Sequence, residues 1–170
     1  RIRDRMLRDS LCHVDSITRI YYADSTAIPT HWNNEIYAHG EDIPAELQRP
    51  TFKWEGNSAD ITNCINQKAF YMLMRDHGER YGWSKPFYDV GGVTDLNNGN
   101  YLPVVFSLCC HTGEYDALSC FCEYFLKRSG GGCVAIYGAS DKSLSGTNDV
   151  MAESMFDAIW PSLNLRPVFD

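Results

Sequence analysis

Ala69-Phe70-Tyr71-Met72-Leu73-Met74 is a continuous apolar run of strand length, followed at once by Arg75-Asp76-His77-Gly78-Glu79. A second run, Pro103-Val104-Val105-Phe106-Ser107-Leu108, ends at Cys109-Cys110-His111-Thr112-Gly113-Glu114. Neither run alternates between apolar and polar residues, as a strand with one wet face would, so both read as strands covered on two sides. A third such run, Cys133 to Tyr137, follows a helical stripe of Leu118, Phe121, Cys122 and Phe125, and Gly130-Gly131-Gly132 stops that stripe. Buried strands separated by helices predict a parallel sheet with both faces covered, and so an α/β architecture. Ligands of such sheets sit beyond the carboxyl ends of the strands, where the His77 and Cys110 clusters fall.

Outward from these runs the pattern weakens. Ile2, Met6 and Leu11 lie near helical spacing and lead to a β-rich run, Ile17 to Tyr22. Residues 23–57 carry Pro29, Pro44 and Pro50, scattered aromatics and no sustained period, which predicts a long connection or surface insertion rather than a second core. Ser58 and Asp60 are candidate caps of a short helix with Ile61, Cys64 and Ile65 on one face. Met151, Met155 and Ile159 mark a last helix, ended by Pro161.

The 170 residues, 44% hydrophobic and 22% charged, suit one globular domain over 1–170. A net charge of -7, without Lys or Arg interleaved with aromatics, argues against nucleic acid as a partner. No apolar stretch approaches the roughly 18 residues of a membrane span, and Arg1 to Arg8 precede no apolar signal region, so no membrane partner and no signal peptide are expected. The 7 cysteines, several inside apolar runs, read as mainly buried thiols and argue slightly for reducing conditions. Cys120-x-Cys122 with Cys12-His13 lacks the ligand spacing of zinc sites, so no metal is expected.

Amide hydrolysis by a thiol needs a thiolate, a group that protonates the leaving amine, and donors aimed at the developing oxyanion. Cys110 and His77 supply the first two, since imidazole titrates near neutrality. Gly78 has no Cβ to obstruct a backbone N–H, the Cys110 N–H is a further donor, and Gly113 lets the chain turn behind the nucleophile. The plain alternative is that cysteine at a strand end is a buried structural thiol and His-Gly is turn chemistry. Two such clusters at consecutive strand ends favour catalysis without deciding it.

Phe70 to Gly78, Leu102 to Gly113, Cys120 to Leu126 and Val134-Ala135-Ile136-Tyr137-Gly138-Ala139-Ser140 resemble the catalytic blocks of the gingipain-like cysteine peptidases, in the clan of caspases, legumain and clostripain. Met155-Phe156-Asp157-Ala158-Ile159-Trp160-Pro161 resembles the helix that closes them. The resemblance covers about residues 17–22 and 58–161, leaving 23–57 as an insertion or long loop. It implies a caspase-like fold, a mostly parallel sheet flanked by helices and lacking its first strand in this chain. It further implies cleavage of protein or peptide substrates, His77 and Cys110 as the catalytic pair, and an oxyanion hole from the N–H groups of Gly78 and Cys110. No cofactor is required, although calcium is bound in some relatives, and a secreted or cell-surface location is suggested.

Three departures mark the comparison. Cys109 precedes the nucleophile where the family more often has Ala or Asn, and matching Gly113 to the family's glycine selects Cys110. Lys142-Ser143-Leu144-Ser145-Gly146 stands where the family walls its specificity pocket, without the aromatic found in better-known members. Ser143, Ser145 and Asp76 are therefore candidate substrate contacts, against ordinary turn serines and a solvated carboxylate. Lastly, the acidic specificity residue and the carboxylate orienting the histidine belong to a part of the family preceding Arg1. The missing N-terminal part of the same precursor is thus an expected partner. Glu79 also flanks His77; His111 points away from the nucleophile's face, and Trp54 and Trp83 are expected to pin loops to the body. The competing functions are a catalytically silent caspase-like binding or regulatory module, and acyl transfer on a non-peptide substrate.

Overall fold

The structure is a computed structural model that describes residues 16–24, 26, 29–32, 34–35, 38–39, 41–116 and 118–159. The apolar stripe of Ile2, Met6 and Leu11, the Cys12-His13 pair, and Trp160 and Pro161 lie outside the described residues.

Among the described residues three parallel strands form the central sheet: β3 (Tyr71–Met74), β7 (Val104–Ser107) and β8 (Ala135–Gly138), in the order β3-β7-β8. The strands are numbered after two short antiparallel ones, β1 (Asn34–Glu35) and β2 (Ala38–His39), in the 23–57 segment. Met74 pairs with Ser107 and Ser107 with Gly138, so the three strands end level. The strand of Cys110 is therefore central and that of His77 is its direct neighbour.

Successive residues of β7 face opposite sides of the sheet. Val105 enters one core with Ile61, Ile65, Trp83, Tyr88, Val93, Leu96, Phe121 and Phe125, while Phe106 enters another with Leu108, Ala152 and Phe156. The first side is covered by α1 (Ser58–Asn66), α2 (Val90–Thr94) and α3 (Phe121–Lys127), the second by α4 (Ser145–Ile159). Each fully buried large side chain here contributes on the order of 1.5–3 kcal/mol. The two outer strands are less covered than predicted: Leu73 is 37% and Tyr137 42% exposed, each on a strand with one paired neighbour among the described residues.

Along the sequence between β3 and β7 the chain forms a separate small antiparallel sheet absent from the sequence reading, made of β4 (Gly78–Glu79), β5 (Gly82–Ser84) and β6 (Phe87–Asp89). Trp83, expected in a loop, is the centre of β5 and packs on Phe121 with ring centroids 5.1 Å apart. Ile17–Tyr22 does not form a sheet strand; Tyr22 makes an isolated bridge to Glu55, the returning end of the 23–57 segment. That segment is not coreless either. Ile43, Leu47 and Trp54 are buried together, with Tyr21, Trp32 and Phe52 around them, and Tyr21 stacks on Trp54 at 5.1 Å. Trp54 also donates Nε1–H to the Leu47 carbonyl at 2.7 Å, so it pins the segment as expected.

Local signals are corrected in three places. The cap of α1 is Asn57, whose side chain accepts from the Asp60 N–H while the Asp60 carboxylate accepts from the Asn57 N–H; Ser58 is the first helical residue. Leu118 precedes α3 and is 87% exposed, leaving Phe121, Cys122 and Phe125 as the buried stripe. The helix α4 buries Asn148, Ala152 and Phe156, with Met151, Met155 and Ile159 packed at its margin.

Candidate active site

At the end of β7 the in-out alternation continues through Ser107-Leu108-Cys109-Cys110 and separates the two adjacent thiols. Cys109 is 1% exposed, with its sulfur 3.3 Å from Ser107 Oγ and 3.9 Å from Thr112 Oγ1. Burial pushes the Cys109 thiol above its ordinary range, and the hydrogen bonds from Ser107 and Thr112 pull it partly back. Cys110 is half-buried, and its sulfur meets Ser143. The Ser143 N–H donates to Cys110 Sγ at 3.4 Å and the Ser143 hydroxyl at 3.9 Å, while the Cys110 thiol donates to the Ser143 carbonyl at 3.6 Å. The His77 imidazole is not among the sulfur's hydrogen-bond partners.

His77 is exposed at the turn from β3 into β4, and its N–H donates to the Asp76 carboxylate. Its carbonyl accepts from the Ser84 N–H at 3.0 Å, which ties the histidine's backbone to β5. Gly78 follows, buried, and pairs with Trp83. A Cβ on Gly78 would lie 2.5 Å from Cys109 Sγ and 3.0 Å from the Cys110 carbonyl oxygen. The His-Gly block and the Cys block thus meet directly.

One hydrogen-bonded chain holds them in register. Trp83 Nε1–H donates to Ser107 Oγ at 2.8 Å, and Ser107 Oγ lies 2.9 Å from Thr112 Oγ1, all three side chains being buried. Buried hydroxyls without partners would destabilise the fold, so this chain both satisfies them and specifies the hairpin's position on β7.

The loop after β8 is held from two sides. Arg75, at the end of β3, donates from Nη2 to the Ser145 carbonyl at 2.8 Å and hydroxyl at 2.7 Å, and from Nε to Asp149 at 2.8 Å. Asn148 Nδ2 donates to Ser143 Oγ at 2.8 Å and to the Leu108 carbonyl at 3.3 Å. Of the two serines singled out from sequence, Ser143 lies at the Cys110 sulfur and Ser145 turns its hydroxyl to Arg75. Arg75, Ser107, Thr112 and Asn148 were not found from sequence. For Asn148 there was a signal: it is the polar member of a stripe otherwise formed by Ala152 and Phe156.

Other candidates resolve individually. His111 takes the left-handed conformation at φ 58°, and its Nδ1 lies 3.7 Å from Glu114 Oε2. The sharp turn is thus made by His111, while Gly113 is required for a different reason: a Cβ there would collide with the Gly138 carbonyl. Glu79 is exposed, and Trp83 lies in the core rather than on a cleft wall. Cys120 and Cys122 are fully buried, and among the described residues no disulfide forms and no cluster of three or more His, Cys, Asp or Glu side chains is placed to hold a metal. Among the described residues no helix is long and apolar enough to cross a membrane.

The three-stranded parallel sheet with helices on both faces is shared with solved cysteine proteinases. A crystal structure of the Arg-specific cysteine proteinase gingipain R (RgpB) superimposes with a TM-score of 0.63 and 20% identity, over 66% of this chain and 28% of that one. A complex of Porphyromonas gingivalis RgpB pro- and mature domains gives a TM-score of 0.59 and 20% identity, over 61% of this chain and 26% of the other. These likenesses define the fold, and the chain spans little more than a quarter of the gingipain chains' length. No curated protein matches the sequence. The sequence model of peptidase family C25 matches residues 6–167, and the chain belongs to that family. The match runs through 23–57 as well as through the strand blocks.

Proposed function

We propose that this chain carries the nucleophile and the proton-transfer group of a cysteine endopeptidase, Cys110 and His77. The observation that supports this most is the division of labour between adjacent thiols: Cys109 is sealed in the core, while Cys110 stands half-open beside the block that carries His77. In the proposed reaction His77 takes the Cys110 thiol proton and the thiolate attacks the substrate carbonyl carbon. The negative charge moves to the carbonyl oxygen, which accepts hydrogen bonds from the Gly78 and Cys110 N–H groups. Protonated His77 then gives its proton to the leaving amine as the C–N bond breaks. Water, deprotonated by His77, cleaves the resulting thioester and regenerates the thiol.

Protein and peptide chains are the substrates in this reading. Ser143 contacts the bound chain beside the nucleophile, Ser145 shapes the loop through Arg75, and Asp76 contributes negative charge at the histidine end. The complex of RgpB pro- and mature domains makes another part of the same precursor a reasonable partner.

The absence of a His77–Cys110 hydrogen bond favours the silent-module alternative, although catalytic hydrogen bonds in unliganded sites are often long and tighten only on substrate. A peptide library incubated with the full-length protein separates the two. Cleavage is expected, falling about 100-fold or more in His77→Ala, in line with loss of general acid–base catalysis. An uncut library, or undiminished cleavage in His77→Ala, overturns the proposal.

A further inference from the structure

Asn148 is buried to 6% exposure on the inward stripe of α4, where Ala152 and Phe156 continue the same face into apolar packing. A buried amide is unfavourable unless its hydrogens find acceptors, so its partners say why it is there. Both Nδ2 bonds lead to the nucleophile. One goes to the carbonyl of Leu108, two residues before Cys110, and the other to the hydroxyl of Ser143, whose oxygen lies 3.9 Å from Cys110 Sγ. A hydroxyl that accepts from a fixed donor has its hydrogen directed elsewhere, and here the sulfur is the acceptor in reach. The Ser143 N–H reaches the same sulfur.

We propose that Asn148 is a positioning residue for the nucleophile: it fixes the Ser143 hydroxyl as a donor to Cys110 Sγ, where it and the Ser143 N–H hold the thiolate for attack. The inference rests on the reading of Cys110 as nucleophile for its catalytic meaning. The hydrogen-bond relay itself exists independently of that reading. Arg75 holds the flanking Ser145 and Asp149 but bonds to no member of the relay itself. Charge-assisted hydrogen bonds to a thiolate strengthen when the proton leaves, so the relay favours the attacking state over the resting thiol.

The test measures the iodoacetamide alkylation rate of Cys110 by peptide mass spectrometry, and kcat and KM on a cleaved peptide, in the full-length protein. Asn148→Leu continues the apolar stripe at similar volume while removing both donors. It is expected to slow Cys110 alkylation and kcat about tenfold with KM little changed, the size of one lost hydrogen bond to a charged group. Ser143→Ala is expected to slow alkylation comparably, and Asn148→Leu added to Ser143→Ala to slow it no further, because the effect passes through the hydroxyl. A merely structural asparagine would lower the melting temperature equally in both backgrounds and leave the alkylation of folded protein unchanged. If Asn148→Leu does not fold, Asn148→Asp keeps the shape, accepts the Ser143 hydrogen and is expected to slow alkylation at least as much. Undiminished alkylation in a folded Asn148 variant, or an equal loss with and without the Ser143 hydroxyl, overturns the proposal. Failure of the nucleophile reading registers separately, as cleavage that survives in Cys110→Ala.

Discussion

Gly78 packs against Cys109 so closely that a Cβ on the glycine would stand 2.5 Å from the cysteine sulfur. Through this contact the block after β3 and the block after β7 become one unit, and the separation of His77 from Cys110 depends on it. Gly78→Ala is therefore expected to overpack the junction and destabilise the protein by about 1–3 kcal/mol. Adding Cys109→Gly should recover much of that loss, and urea denaturation of the parent protein and the three variants checks both. Additive effects of the two substitutions would show that the contact is not what makes Gly78 necessary.

The Trp83 indole is a second fastening between the hairpin and β7, through its hydrogen bond to Ser107 Oγ. Trp83→Phe keeps an aromatic against Phe121 but leaves a buried hydroxyl short of a donor, a loss of about 1–3 kcal/mol. The urea midpoint should fall and cleavage of the remaining folded protein should weaken. Ser107→Ala should cost less in that background than in the parent protein, since its bond to Trp83 is already gone, but it still takes the Thr112 hydroxyl's partner.

Arg75 holds the loop after β8 but lies partly in solvent, with Asp149 66% exposed. Arg75→Gln is accordingly expected to change stability by less than about 1 kcal/mol. Its effect should fall on substrate binding instead, raising KM while kcat is largely kept, because Ser145 and Asp149 are released but the Asn148 relay remains. Steady-state kinetics on a cleaved peptide measure the split.

Burial pushes the thiols of both Cys122 and Cys133 up to about 12, from an ordinary 9.0. A group whose folded value is raised binds its proton more tightly in the folded state, so its contribution is fully present below pH 9.0 and is lost as pH rises toward about 12. The melting temperature should fall through that window. In Cys133→Ala the fall should be shallower, even though the variant starts from a lower value at neutral pH. Thermal melts at stepped pH compare the two slopes.

Much of the fold was legible because parallel strands announce themselves as unbroken apolar runs. Tyr71–Met74 and Val104–Ser107 could be placed, and polar residues at once beyond them marked the sheet's functional edge. The period of two also separates Cys109 from Cys110 without knowledge of the tertiary structure. What stayed hidden depends on contacts between distant segments. Gly82-Trp83-Ser84 is too short and mixed to signal a strand, and its identity comes from pairing with β4 and β6. The cluster around Trp54 draws on Tyr21, Trp32 and Phe52, whose spacing follows no secondary-structure period. Asn148 and Arg75 reach the loop only because of how α4 is rotated against β3 and β7.

Substitution of the adjacent thiols one at a time, in the full-length protein, tests the central claim most directly. Cys110→Ala is predicted to abolish peptide cleavage, whereas Cys109→Ala should retain it at reduced stability. Full cleavage in Cys110→Ala would contradict the assignment of Cys110 as the nucleophile.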